Sequence, residues 1–467
     1  MDILWKCLDD NEKNMWKLQS INPYNQELNA EFEQLSREQL DEKIELANTA
    51  FETWKNTPRS EKKELFLKLA EVFEKNQEEM ARIQTIEMGM LYKESFGGLT
   101  NTIALTRWFA NNFEEILADQ EFETEGVTGK YQYDPIGVLY GVAPWNFPFN
   151  QVLRAAIPNI LAGNTVIYKH ASNVPMAWEM IEKLFLEAGF PKGIYQNIFI
   201  SARESEYILS REEIKWVNLT GGEFAWQALC SLAGKNLKPA VLELGWNDAF
   251  IVCDSSDLNN VALQAVKARL ANWGQKCNSS KRIIVQEKDY EEFKKYFVEH
   301  MAAQKIWDPM DESTDVPPLS TKKLVEEIDS QVQQTLQDGW KILTWGKVIE
   351  HVGNFYAPTV LEVDETMTSY KQEVFGPVAS LIKARDLDDA VRIANNSDFG
   401  LCGCVYWDNP EQTREVASKI HTGMVFINKP AGSKASLPFG WVKKSGFWKE
   451  NGPDGLKAFT NKKVIIY

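Results

Sequence analysis

The chain has 467 residues, too many for one hydrophobic core, which predicts two or three domains. Its 44% hydrophobic and 25% charged residues are the balance of a globular protein rather than a disordered one. A formal net charge of -15 excludes a general affinity for nucleic acid or an anionic membrane, while leaving room for a local basic pocket.

In chain order, the opening Met1–Asp10 segment has too short an apolar run for a secretory signal. Apolar positions at three- and four-residue spacing predict amphipathic helices over 38–54 and 60–92. Ile136–Pro144 is a short apolar run with glycines, read as a buried strand. There follow a helix near 150–162, a strand at Thr165–Lys169, a helix at 174–188, a strand near Ile198, a helix, and a strand at Trp216–Leu219. A second alternating series runs from Ala249 to about Ile427. Such alternation predicts an α/β fold with parallel sheets covered on both faces. No stretch is long and apolar enough to span a membrane. The cysteines at 7, 230, 253, 277, 402 and 404 show no CxxC pair, and the histidines at 170, 300, 351 and 421 never fall four apart. These spacings imply a reducing, cytoplasmic setting and no metal.

Three residues invite a chemical reading. Cys277 stands among the polar residues Gln275, Lys276, Asn278, Ser279 and Ser280, surroundings that suit a reactive thiol better than a core one. Glu243 lies inside the apolar run Val241-Leu242-Glu243-Leu244-Gly245, where burial would raise its pKa toward that of a general base. Asn146 sits in Pro144-Trp145-Asn146-Phe147-Pro148, a rigid turn that can aim its amide at a developing oxyanion. Each also has an ordinary alternative: a buried thiol, a salt-bridged strand end and a helix cap.

Together, in this order and at these separations, they resemble the nucleophile, general base and oxyanion donor of the aldehyde dehydrogenase superfamily. Ser20-Ile21-Asn22-Pro23, Glu373-Val374-Phe375-Gly376-Pro377, Gly423-Met424-Val425-Phe426-Ile427-Asn428 and Leu437-Pro438-Phe439-Gly440 extend the resemblance over almost the whole chain. It implies a Rossmann-type dinucleotide-binding domain over 1–116 and 136–244, a catalytic domain over 245–445, and a small β oligomerisation arm from 117–135 with 446–467. It further implies oxidation of an aldehyde through a cysteine thioester with NADP or NAD, in a homodimer or homotetramer. Lys169, Ser172, Gly221, Gly222, Trp145, Glu373 and Phe375 fall at cofactor-binding positions of the family. Ser172 replaces a glutamate of NAD-preferring members, which removes repulsion of a 2′-phosphate and favours tolerance of NADP.

Lys169-His170-Ala171-Ser172-Asn173-Val174-Pro175 and the Asn428–Phe439 stretch are similar to the succinate-semialdehyde dehydrogenase-like branch. Arg154 matches that branch's carboxylate-binding arginine, but a second arginine found in part of the branch is Ala271 here. Lys434 is the candidate replacement for the missing half of the clamp, and a dehydrogenase for a neutral aldehyde is the alternative.

One departure runs through the chain. It contains 16 Trp against 14 Tyr, and six of them, Trp226, Trp246, Trp307, Trp345, Trp441 and Trp448, stand where the family pattern has glycine. Trp273 and Trp340 are further cases. Glycine serves at such places for positive φ or close backbone approach, which tryptophan opposes. The expectation is a decoding effect, with native glycine encoded by UGA at these positions. The alternative is a degenerate, catalytically impaired enzyme.

Overall fold

The structure is a computed structural model that describes residues 17–467 apart from Leu244 and Trp340, so the expectation for Trp340 lies outside the described residues. Ser36 starts the first described helix, Arg37–Trp54, through a capping box with Gln39. The second expected helix is two: Arg59–Lys75 and Gln77–Met88 meet at Asn76. Asn76 lies outside helical geometry, and its side chain bonds the Val72 carbonyl, drawing the backbone out of the helical ladder while the apolar rhythm continues. Gly89, at φ 85, closes the second helix in the left-handed conformation.

Two sheets organise the molecule. The first has six strands in the spatial order Gly446–Phe447, Ala240–Glu243, Ile214–Thr220, Val138–Ala143, Thr165–His170 and Tyr195–Asn197. The five longer-range neighbours from Ala240–Glu243 onward pair in parallel, and only the Gly446–Phe447 edge is antiparallel. Asn150–Ala162, Pro175–Glu187 and Glu223–Lys235 are the helices that follow its strands. The second sheet has seven strands, with Val378–Ala384, Arg282–Gln286 and Ala249–Asp254 at its centre. Its parallel strands are buried on both faces, as their unbroken apolar runs require. The expected α/β architecture is thus present, with both large sheets mainly parallel.

A separate three-stranded antiparallel sheet joins Gln120–Thr124, Val127–Pro135 and Thr460–Ile466. Its C-terminal part begins at Thr460 rather than at 446. Gly446–Phe447 instead extends the first sheet, and the short helix Gly452–Lys457 packs against the helices Asn150–Ala162 and Tyr92–Ile116. Gly446 pairs with Glu243, and a Cβ at 446 would meet the neighbouring Leu242 carbonyl at 2.0 Å, so only glycine allows this close approach.

Several of the misplaced tryptophans have unusual backbones. Trp345 (φ 37), Trp448 (φ 72) and Trp273 (φ 53) all adopt left-handed φ. Trp345 and Trp448 are exposed, whereas Trp273 is fully buried. Trp246 and Trp441 are also buried and pack ring on ring at 6.1 Å. Trp226 and Trp307 show no positive φ.

Candidate active site

The residues singled out from the sequence come from the C-terminal ends of strands and the turns that follow them. Asn146 follows the strand Val138–Ala143, and Glu243 ends the strand Ala240–Glu243. Cys277 lies in the turn between a short 3-10 segment, Ala271–Gly274, and the strand Arg282–Gln286. The Ala271–Gly274 segment that leads into it carries three successive left-handed residues, Asn272, Trp273 and Gly274. A Cβ on Gly274 would meet the Gly376 carbonyl at 2.2 Å, so the backbone passes where only glycine fits. The Asn146 Nδ2 donates to the Gln275 carbonyl at 3.0 Å, and the Asn272 Nδ2 donates to the Asn146 carbonyl at 2.9 Å. The two segments are therefore tied together directly before the thiol.

Cys277 lines two cavities. One, of about 380 Å³, is bounded by Trp145, Asn146, Gly245, Trp246, Glu373 and Phe375. It shares Pro144, Trp145, Thr220, Gly221 and Gly222 with a more apolar cavity of about 310 Å³ that contains Lys169. The other cavity at the thiol, of about 270 Å³, is bounded by Arg154, Lys276, Asn278, Ser433 and Phe439 among others. Cys277 and Gln151 belong to both of the cavities that meet at the thiol. Burial pushes the Cys277 thiol above its ordinary pKa, and the cations Arg154, Lys281 and Lys276 oppose that shift.

Glu243 is buried, and its Oε2 accepts from the Arg154 guanidinium. The Arg154 Nε lies 2.5 Å from the Glu450 Oε2. Burial thus does not act alone on Glu243, because a guanidinium in contact with it favours the carboxylate. Its other oxygen, Oε1, has no hydrogen-bond partner among the described residues. Arg154 reaches the third cavity, but two carboxylates already hold it. Lys434 is exposed and borders none of these cavities, and neither do Ser172 and Glu243; Glu243 is joined to the cleft through its contact with Arg154, whereas Lys434 and Ser172 are not brought to it.

On the opposite side, the Trp145 ring stands edge-on to Phe375 at 5.7 Å. The Glu373 carboxylate is 3.0 Å from the Lys281 Nζ and accepts from the Trp246 N–H at 3.3 Å. Lys281 also donates to the Cys277 carbonyl at 2.5 Å. Sequence reasoning missed Lys281, Gln151 and Glu450. Lys281 follows the thiol by one turn of chain and was open to notice, but Glu450 carries no local signal. Among the described residues no cluster of three His, Cys, Asp or Glu is placed to hold a metal ion, and no helix is long and apolar enough to cross a membrane.

The groove from Lys169 to the thiol fits an extended dinucleotide. Gly222 leaves open space where a side chain would stand, and the helix Glu223–Lys235 presents its N-terminus there. A dinucleotide groove and a buried thiol between two cavities define an oxidoreductase of the aldehyde-oxidising class. Residues 10–465 match the aldehyde dehydrogenase family, and the chain belongs to it; it is an NAD(P)-dependent oxidoreductase that takes an aldehyde substrate. It is 36% identical over 447 residues to a succinate-semialdehyde dehydrogenase [NADP(+)] of Deinococcus radiodurans, covering 96% of this chain and 94% of that protein. A protein of the same description from Mycobacterium avium is 39% identical over 400 residues, covering 85% of each chain. The crystal structure of succinic semialdehyde dehydrogenase from Streptococcus pyogenes with NADP+ matches at a TM-score of 0.94 and 34% identity, over 96% of this chain and 99% of that one.

Proposed function

We propose that the protein oxidises succinate semialdehyde, or a similarly short carboxylated aldehyde, to the acid with NADP as the preferred cofactor. The observation that carries this reading is the position of Cys277 in the wall shared by the groove that starts at Lys169 and the cavity that holds cationic side chains. The names of the relatives support the choice of substrate and cofactor.

In this reading the Cys277 thiolate adds to the aldehyde carbon, and the three neighbouring cations offset part of the burial that favours the thiol. The carbonyl oxygen becomes an oxyanion held by the Asn146 amide and the Cys277 backbone N–H. Lys169, Gly221, Gly222, Glu373 and Phe375 hold the dinucleotide, with Trp145 closing the wall between its two cavities. When bound, the nicotinamide supplies the hydride acceptor that converts the adduct to an oxidised state. The Cys277 thioester is then opened by water. Glu243 takes a proton from that water, the oxygen bonds to the acyl carbon, and the carbon–sulfur bond breaks to return the thiolate. Asn146 and the Cys277 N–H serve again for this second oxyanion.

The three-stranded arm supports a homo-oligomer. Its outer strands, Gln120–Thr124 and Thr460–Ile466, each have one unpaired edge, and Val464, Ile466 and Tyr467 are exposed apolar residues beside one of them. A thiol-dependent reaction supports a reducing, cytoplasmic setting.

Reduction of NADP and of NAD by the purified protein, with succinate semialdehyde and with butanal, tests the proposal. The expected result is the highest kcat/KM for the carboxylated aldehyde with NADP, abolished in Cys277→Ala. Equal use of butanal would overturn the substrate assignment.

A further inference from the structure

We propose that Lys281 is a positioning residue that mounts the nucleophile and the nicotinamide end of the cofactor on one buried charge. This rests on the proposed roles of Cys277 as nucleophile and of Glu373 and Phe375 as dinucleotide contacts. The backbone of Lys281 is fixed where the strand Arg282–Gln286 begins. Its N–H donates to the Asp248 carbonyl at 3.0 Å, and its carbonyl accepts from the Ser380 N–H at 2.9 Å. The side chain that starts from this fixed point is 2% exposed. Its Nζ donates to the Cys277 carbonyl at 2.5 Å and to the Lys276 carbonyl at 3.3 Å. It also lies 3.0 Å from the Glu373 Oε1 and 5.9 Å from the centre of the Phe375 ring.

An ammonium has three donors, and here two meet carbonyls of the nucleophile turn while a carboxylate on the cofactor side faces the third. Burying such a charge is costly unless it is paired and hydrogen-bonded, and Lys281 meets both conditions by joining these two segments. Neither segment is part of a strand at this point. The thiol follows the left-handed run Asn272, Trp273 and Gly274, and Glu373 lies in the irregular stretch after the helix Thr368–Lys371. Their shared partner therefore sets the spacing between the sulfur and the Glu373 carboxylate. Arg154, Lys281 and Lys276 oppose the effect of burial on the Cys277 thiol, while Asp248 adds to it. Lys281 is the one of these cations that also meets Glu373 and Phe375. It borders neither cavity at the thiol, so it acts through its neighbours rather than on the substrate. Hydride transfer needs the adduct carbon close to the nicotinamide, and a displacement of about 1 Å costs roughly 100-fold in rate.

The test compares wild type, Lys281→Met, Lys281→Gln and Glu373→Gln, with each Lys281 variant also made on the Glu373→Gln background. Three readouts are taken: the pH dependence of Cys277 alkylation by iodoacetamide without cofactor or aldehyde, NADP affinity from tryptophan fluorescence, and the rate of the NADPH burst with succinate semialdehyde. Loss of the charge should raise the alkylation midpoint by about one pH unit in both Lys281 variants, so that alkylation at neutral pH slows about tenfold. The burst should fall roughly 100-fold in Lys281→Met and less in Lys281→Gln, which keeps a donor for the Cys277 carbonyl. Lys281→Met should weaken NADP binding in the wild-type background but change it by less than about threefold in Glu373→Gln, where the ion pair is already broken. Should Lys281→Met fail to fold, Lys281→Gln carries the same cycle. An unshifted alkylation profile, an unchanged burst, or equal losses of NADP affinity on both backgrounds would overturn the inference. Alkylation and NADP binding need no turnover, so they report whichever aldehyde is the substrate. Turnover that survives Cys277→Ala would instead overturn the proposed function.

Discussion

Replacing Trp345 and Trp448 together by glycine should stabilise the protein. Both hold left-handed backbone, at φ 37 and φ 72, and both rings are more than half exposed, at 52% and 57%. Gly346 follows at φ 63, so Trp345 begins a pair of left-handed residues of the kind that tight turns build from Asn or Gly. A residue with a Cβ loses about 1–2 kcal/mol in this conformation. Glycine returns roughly half of that through the greater freedom of the unfolded chain, about 0.5–1 kcal/mol. The contact of Lys347 with the Trp345 ring, at 5.7 Å, subtracts only about 0.5 kcal/mol at an exposed site. The net gain for the pair is on the order of 1 kcal/mol, and their separate turns make the two effects additive. Trp307 is the control: it is 60% exposed with ordinary φ, so Trp307→Gly should gain nothing. The assay is denaturant unfolding with equal slopes for all variants. A double variant less stable than its parent, or no better than Trp307→Gly, would refute the argument from backbone strain. The buried cases behave differently, because removing the ring of Trp273 leaves a cavity that costs about 3–5 kcal/mol and outweighs any relief of φ. The gene offers an independent check: UGA codons at 226, 246, 307, 345, 441 and 448 beside UGG at Trp145 are expected, and UGG throughout would sink the decoding explanation.

Three further outcomes follow from the site and the arm. Glu243→Gln should give a fast burst of NADPH followed by a slow steady state, seen by stopped-flow absorbance; equal loss of both phases would make Glu243 structural. Asp248 is buried, and burial pushes its pKa up to about 7 despite Lys281 and the Cys402 N–H. Its unfolded value is about 3.9, so between these two pH values the folded state binds more protons, and stability falls as pH rises. Asp248→Asn should flatten that slope in urea midpoints measured from pH 4.5 to 7.5, and an unchanged slope would assign it to other groups. If the arm joins protomers as proposed, Val464→Lys with Ile466→Lys should lower the mass seen in light scattering while leaving the far-ultraviolet circular dichroism intact; an unchanged mass would refute an interface at this edge.

How far the sequence could be read depended on the range of each interaction. Asn146, Glu243 and Cys277 were legible because each sits in a short segment whose residue types are unusual together. The strands Val138–Ala143, Thr165–His170 and Ile214–Thr220 of the first sheet were legible because each is a compact, mostly apolar run between turns. The break at Asn76 was not, since apolar spacing continues across it and only a side-chain bond to Val72 marks the stop. The extra edge strand Gly446–Phe447 was hidden because two residues have no period. Arg154 could be seen as a cation near the site, but its capture by Glu243 and Glu450 joins segments far apart in the chain. Lys434 was chosen for its charge, and charge alone carries no information about which way a loop faces.

The thiol's position between two chambers bears on how the enzyme can be blocked. A covalent inhibitor anchored on the Cys277 sulfur can be grown in either of two directions from the same warhead. A tail extended past Trp145 toward Gly222 runs into the groove proposed for the dinucleotide and would compete with it. A tail directed past Lys276 toward Ser433 enters the cavity proposed to take the rest of the aldehyde, and selectivity over related enzymes is to be sought on that side.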